Sequence, residues 1–173
     1  MLAQLVKIFM PPPERQRAHA LYLAVVEKAR QERFYTQLGV PDTLDGRFEM
    51  ILVHLFLALH RLKEEPDTKT FRQQVMEVFM EDMDRSVREL GVSDTGVGKR
   101  VKKMAAAMYG RIAAYDMTLD DAEALRVALQ RNVYGTVEEV KESSLEELAD
   151  YIMQEQARLA TLSPERLLEG RLD

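Results

Sequence analysis

VFMEDMDRSVRELGVSDTGVGKRVKKMAAAMYGRIAAYD, residues 78–116, reads as helix, tight glycine-bearing turn, helix. Phe71, Val75, Val78, Phe79, Met83, Val87 and Leu90 recur at three- and four-residue steps and mark one apolar face of a helix over about 70–90. Gly91 falls where a helix wants its C′ residue, and Asp94 or Thr95 can cap the helix that follows. That second helix, to about Tyr115, turns Val97, Val101, Met104, Ala105, Met108 and Ile112 to one side. The first helix is acidic around Glu81, Asp82 and Asp84, whereas the second opens on Lys99, Arg100, Lys102 and Lys103. Cations at a helix N-terminus oppose its dipole, at roughly 0.3–1 kcal/mol each. They either pair with acids across the hairpin or stay free for a partner, and spacing alone leaves both open.

Outward from the hairpin the same period continues. Residues 44–63 carry the densest apolar face, with Phe48, Ile51, Leu52, Leu55, Phe56, Leu59 and Leu62, and are expected to form the central core helix. Ala18, Leu21, Tyr22, Val25, Val26 and Ala29 predict a helix over 14–33, ended by a turn at Gly39, Pro41, Asp42 and Thr43. On the C-terminal side, Thr118 is placed as the cap of a helix over 119–132. Ser144 and Glu147 have capping-box spacing for a helix to about Thr161, and Pro164 suits the first position of a last short helix. Leu2, Leu5, Val6 and Phe9 form one face of a terminal helix, stopped by Pro11, Pro12 and Pro13; it either docks on the core or touches a membrane or partner. No period-2 run of strand length occurs. The expectation is an all-α domain of seven or eight helices spanning 1–173: residues 1–13 as helix and spacer, 14–135 as the main body, 136–173 as C-terminal helices. Connection 133–143 reads as the loosest, and the part after 143 as a semi-independent hairpin.

Composition narrows the function classes. The chain has 173 residues, 46% hydrophobic and 31% charged, with formal net charge −5, so no bulk attraction to nucleic acid is expected. Charge is uneven: residues 96–115 hold five basic and no acidic side chains, and 116–173 hold 14 acidic against 6 basic. There is no cysteine, which removes disulfides, thiolate metal sites and cysteine nucleophiles together. No apolar run approaches the roughly 20 residues of a membrane span. Residues 1–10 lack the basic start and small-residue cleavage site of a signal peptide.

The sequence offers no catalytic set. Ser93 to Arg100 looks like a phosphate loop, but glycine is wanted at Ser93 and Ser or Thr at Arg100, after a strand that is not predicted. His19, His54 and His60 fit no metal-binding spacing, so no metal and no cofactor are expected; His54, beside the core stripe, reads as a hydrogen-bonded packing residue. An enzyme would have to assemble scattered groups such as His54, Tyr109, Arg111 and Asp84. The ten methionines fall partly at helical spacing (Met76, Met80, Met83; Met104, Met108), which suits either a core or a surface that grips varied apolar segments.

Two blocks resemble the ubiquinol–cytochrome c chaperone family. The first is Phe34, Tyr35, Gly39 to Thr43, Gly46, Arg47, Phe48, Glu49 and His54. The second is Phe79, Asp82, Met83, Asp84, Arg85, Arg88, Glu89, Gly91, Val92, Asp94, Val97, Lys99, Lys102, Tyr109, Gly110, Arg111 and Tyr115. The similarity covers about 18–135 and leaves out the first ten residues and the chain after 140. It implies a non-enzymatic assembly factor for respiratory complex III that binds newly made cytochrome b. Mitochondrial members work near the ribosome and with a small partner protein. The short chain without an evident presequence implies a bacterial-type member, cytoplasmic or peripheral at the inner face of the membrane, with residues 1–10 as the membrane contact. Asp82, Asp84, Arg85, Arg88, Lys99, Lys102, Lys103, Met104, Met108, Tyr109, Arg111 and Tyr115 are the expected partner-binding residues. Tyr35, Asp42, Arg47, Phe48, His54, Gly91 and Gly110 are the expected structural ones. The competing reading is a nucleic-acid or ribosome-binding module that uses the basic helix 97–115.

Overall fold

The computed structural model describes residues 14–89, Gly91 and 94–173, with Asp94 and Thr95 by backbone alone. The expected terminal helix and proline spacer, and the inward placement of Leu90, lie outside the described residues. Within them the chain is all-α: α1 Glu14–Ala29, α2 Glu32–Thr36, α3 Leu44–Arg61, α4 Lys69–Glu89, α5 Asp94–Thr118, α6 Ala122–Asn132, α7 Glu142–Thr161 and α8 Pro164–Leu168.

Helix α3 is the axis. Every residue from Phe48 to Ala58 is buried, including the polar Glu49 and His54, so the helix is enclosed on all sides. Helices α1, α5 and α7 pack on it; α4 closes against α1 and α5, α6 bridges α5 and α7, and α8 lies on α1. The inward faces expected for α1 and α4 are buried from Ala18 to Ala29 and from Phe71 to Val87. One apolar cluster runs through all eight helices, from Ala18 to Leu172. Gly91 takes φ 72°, the left-handed conformation a helix C′ residue needs, and its N–H donates to Arg88 O at 3.0 Å.

Helix α3 starts where a cap and a glycine coincide. The Thr43 hydroxyl accepts from Gly46 N at 3.1 Å. A Cβ at Gly46 would lie 2.0 Å from Pro41 O, so the chain leaving the 38–43 turn passes against bare backbone. Gly46→Ala is expected to destabilise the fold by about 1–3 kcal/mol through overpacking. Gly110→Ala, where a Cβ meets nothing within 4 Å, should stabilise it by about 0.5–1 kcal/mol. Urea unfolding of the two variants checks the contrast.

Several boundaries differ from the sequence expectation, each for a tertiary or local bonding reason. The helix expected over 14–33 breaks after Ala29, with Gln31 at ψ 126°. The break lets Phe34 reach the core, where its ring sits 5.6 Å from His54 and 5.0 Å from Tyr151, and Tyr35 donates to Ala29 O at 3.0 Å. Thr118 does not cap α6: its hydroxyl donates back to Ala114 O inside α5, and Asp121 caps instead, accepting from Glu123 N and Ala124 N. Ser144 forms no capping box. Helix α7 begins at Glu142, and Ser144 is buried within it on the same inward face as Leu145, Leu148 and Ile152. The connection expected to be loosest is tied down at its start, with Val133 and Tyr134 buried and the Tyr134 hydroxyl donating to Leu38 O at 3.0 Å. Nor does α7 stand apart as a hairpin, since its Tyr151 reaches His54 on α3.

Candidate functional site

The acids of α4 are spent on other partners. Glu81 accepts from Arg15 on α1 at 2.7 and 3.0 Å. Asp82 accepts from the Tyr22 hydroxyl at 2.6 Å and lies 3.8 Å from Arg85. Burial and this acid together push the Tyr22 phenol far up. Asp84 accepts from Arg88 Nε at 2.6 Å. The hairpin pairing allowed by the sequence is therefore not made. Among the described residues Lys99, Lys102 and Lys103 are exposed and engage no carboxylate. Arg100 reaches only the exposed Asp45, at 3.4 Å.

Below these lysines, α5 presents an outer face of Ala106, Tyr109, Gly110, Ala113 and Met117, spaced by three and four residues. Tyr109 is 69% and Met117 85% exposed. The face is cationic at the N-terminal end, then small and apolar, with two large side chains standing out. Gly110 leaves the backbone open to close approach.

Other residues expected on a partner surface turn inward. Met108 and Tyr115 are 2% exposed and Met104 is 7%, so they are core residues, as are Met50 and Met83. Thioethers here mostly fill space. Arg111 donates through Nε to both Glu49 oxygens, at 2.5 and 2.6 Å. Burial pushes the Glu49 carboxyl up from its ordinary range and outweighs the guanidinium beside it. Glu49 enters the sequence reading only within the first family block and without a role, because nothing local marks an acid inside an apolar run as the partner of an arginine 62 positions away.

The remaining expected residues are structural in their contacts. Arg47 bonds Asp42 at 2.6 Å and holds its carboxyl below the usual range. His54 donates from Nδ1 to Met50 O at 2.7 Å; its Nε2 therefore accepts from the Tyr151 hydroxyl, also at 2.7 Å. Burial lowers this imidazole to about 4. His54, Arg111 and Asp84 each have a separate partner and Tyr109 stands exposed, so the four do not converge. Among the described residues no group of His, Asp or Glu could hold a metal ion, and no helix is long and apolar enough to cross a membrane.

A depression of ≈400 Å³ between α3, α4 and α5 was not legible from the sequence. Phe56, Leu59, Met76 and Ile112 floor it, with Lys63, Lys69 and Arg72 around the rim. Lys63 Nζ lies 2.9 Å from Asp116 and holds that carboxyl below its usual range.

The sequence profile of the family described as Ubiquinol-cytochrome C chaperone matches residues 36–173, so the stretch after 140 lies inside the similarity and not beyond it. The mouse protein named ubiquinol-cytochrome c reductase complex assembly factor 1 is 30% identical over 150 residues, 86% of this chain and 50% of that protein. The human protein of that name is 29% identical with the same coverage. The chain thus spans about half the length of these two relatives. The crystal structure of the Cbp3 homolog from Brucella abortus superposes with a TM-score of 0.80 at 41% identity, covering 98% of this chain and 94% of that one. With a match over four-fifths of its length and a shared three-dimensional fold, the chain belongs to the ubiquinol–cytochrome c chaperone family.

Proposed function

We infer that this protein is an assembly chaperone for ubiquinol–cytochrome c reductase and that its client is newly made cytochrome b. The observation that carries the reading is the outer face of α5. Three lysines remain uncommitted in the second and third turns of α5, and a small, apolar strip with Tyr109 and Met117 follows them. Small residues let a second helix approach closely, and exposed large apolar side chains anchor interfaces. A face of this kind suits an apolar client helix flanked by acidic or polar residues. The relatives named as assembly factors for the same complex support the reading.

Changing Lys99, Lys102 and Lys103 together to Glu is expected to cut capture of cytochrome b at least fivefold while helical content stays unchanged. Undiminished capture by the folded variant overturns the assignment of this face. The free lysines also favour one second reading, contact with nucleic acid or the ribosome. Salt separates the two: binding through phosphate contacts falls by orders of magnitude between 50 and 200 mM salt, whereas an apolar grip holds.

A further inference from the structure

A cavity of ≈590 Å³ opens between the start of α3, the inner flank of α5 and the end of α6. We propose that it is a binding site for a phosphate ester with an apolar substituent. Lys99, Arg100, Lys103 and Arg131 line it, and of these only Arg100 has an ion pair, the 3.4 Å contact to exposed Asp45. The other acid in the lining, Glu49, is held by Arg111. Counting every charged side chain in the lining, five basic against two acidic, the cavity carries net +3 within a protein of net −5.

Asn132, 8% exposed, lines the same cavity, but its side-chain amide faces the buried Tyr115 hydroxyl. The uncommitted groups are all donors. A carboxylate offers one charge and two oxygens; a phosphoryl group offers up to two charges and three terminal oxygens, and fits the three free cations, Lys99, Lys103 and Arg131, better. The cavity is far larger than a phosphoryl group alone, and its other wall is Phe48, Met104, Ala107 and Val133. That wall takes an apolar substituent. The site does not depend on the client reading, because it asks only for a small anion and the protein.

Calorimetric titration of the full chain tests it. Hexyl phosphate is expected to bind at least tenfold tighter than inorganic phosphate or hexanoate. Lys99→Gln and Arg131→Gln are each expected to weaken it about tenfold, the loss of one charge-assisted hydrogen bond. Lys141→Gln, an exposed charge away from the cavity, should leave it unchanged. Equal binding of hexyl phosphate and hexanoate, or affinity unmoved by both cavity variants while they remain folded, overturns the proposal. Vesicles identify the source. Cosedimentation with phosphatidic acid vesicles that hexyl phosphate abolishes assigns a lipid headgroup, and hexyl phosphate binding without cosedimentation assigns a soluble ester.

Discussion

Arg111→Ala is expected to lower the unfolding free energy by about 3 kcal/mol at neutral pH, the low end for breaking a buried ion pair. The low end applies because Arg111 is 25% exposed and its partner Glu49 only 6%. The loss comes from the partner left behind. Glu49 already has its carboxyl raised by burial with the guanidinium in place. Without Arg111 it keeps the desolvation and loses the compensation, so its pKa rises further. A carboxyl raised in the folded state contributes its full stability below its unfolded pKa and loses it as pH rises through the folded pKa. The deficit of Arg111→Ala against the parent should therefore be largest at pH 7 and shrink towards pH 5. Adding Glu49→Gln should recover much of it. Urea unfolding of the parent, the single and the double variant at the two pH values measures this. A deficit unchanged by pH and by Glu49→Gln would show that Arg111 stabilises by packing. Weaker client capture by an Arg111 variant would then need a stability control before it spoke for a contact.

The second large effect is acid sensitivity centred on His54. Its imidazole is fully enclosed, with pKa lowered by burial from 6.5 to about 4. The unfolded chain takes up a proton near pH 6.5 while the folded chain does not, so stability is complete above the unfolded value and drains as pH falls towards the folded one. One pKa unit is worth about 1.4 kcal/mol, so this residue alone removes about 2 kcal/mol between neutrality and pH 5. The groups with lowered carboxyl pKa, Asp42, Asp116 and Asp173, titrate below that window. For Glu155, burial pushes up, but Arg158 and Lys28 outweigh it and the net shift is also downward. His54→Gln should keep a hydrogen bond to Tyr151 and flatten the decline between pH 6.5 and 5. Parallel curves for parent and variant, followed by thermal unfolding, would assign the acid loss elsewhere.

Both effects rest on contacts made at long range, and this separates what was readable in the sequence from what was not. Helix α3 was legible as the core helix because Phe48, Ile51, Leu52, Leu55 and Phe56 repeat within one short window, and a period of 3.6 is a local property. Gly91 as the stop of α4 and Pro164 at the start of α8 were legible for the same reason: backbone conformations are set by the residue in place. The misplaced caps at Thr118 and Ser144 show the limit. Several residues near a helix start can accept a backbone N–H, and the burial of Leu119 and of Leu145 decides which one does.

By itself the sequence determined the all-helical class, the inward faces of α1, α3 and α4, the absence of cysteine chemistry and the family. Each depends on residue identity and near-neighbour spacing. Only the tertiary structure decided which charges are spent and which are free. Arg15 meets Glu81 across 66 positions, Tyr22 meets Asp82 across 60 and Arg111 meets Glu49 across 62. Those pairings leave Lys99, Lys102 and Lys103 uncommitted and turn Met108 and Tyr115 inward. Coulomb attraction and burial act through space, and distance in space between far-separated residues is set only when the helices have packed.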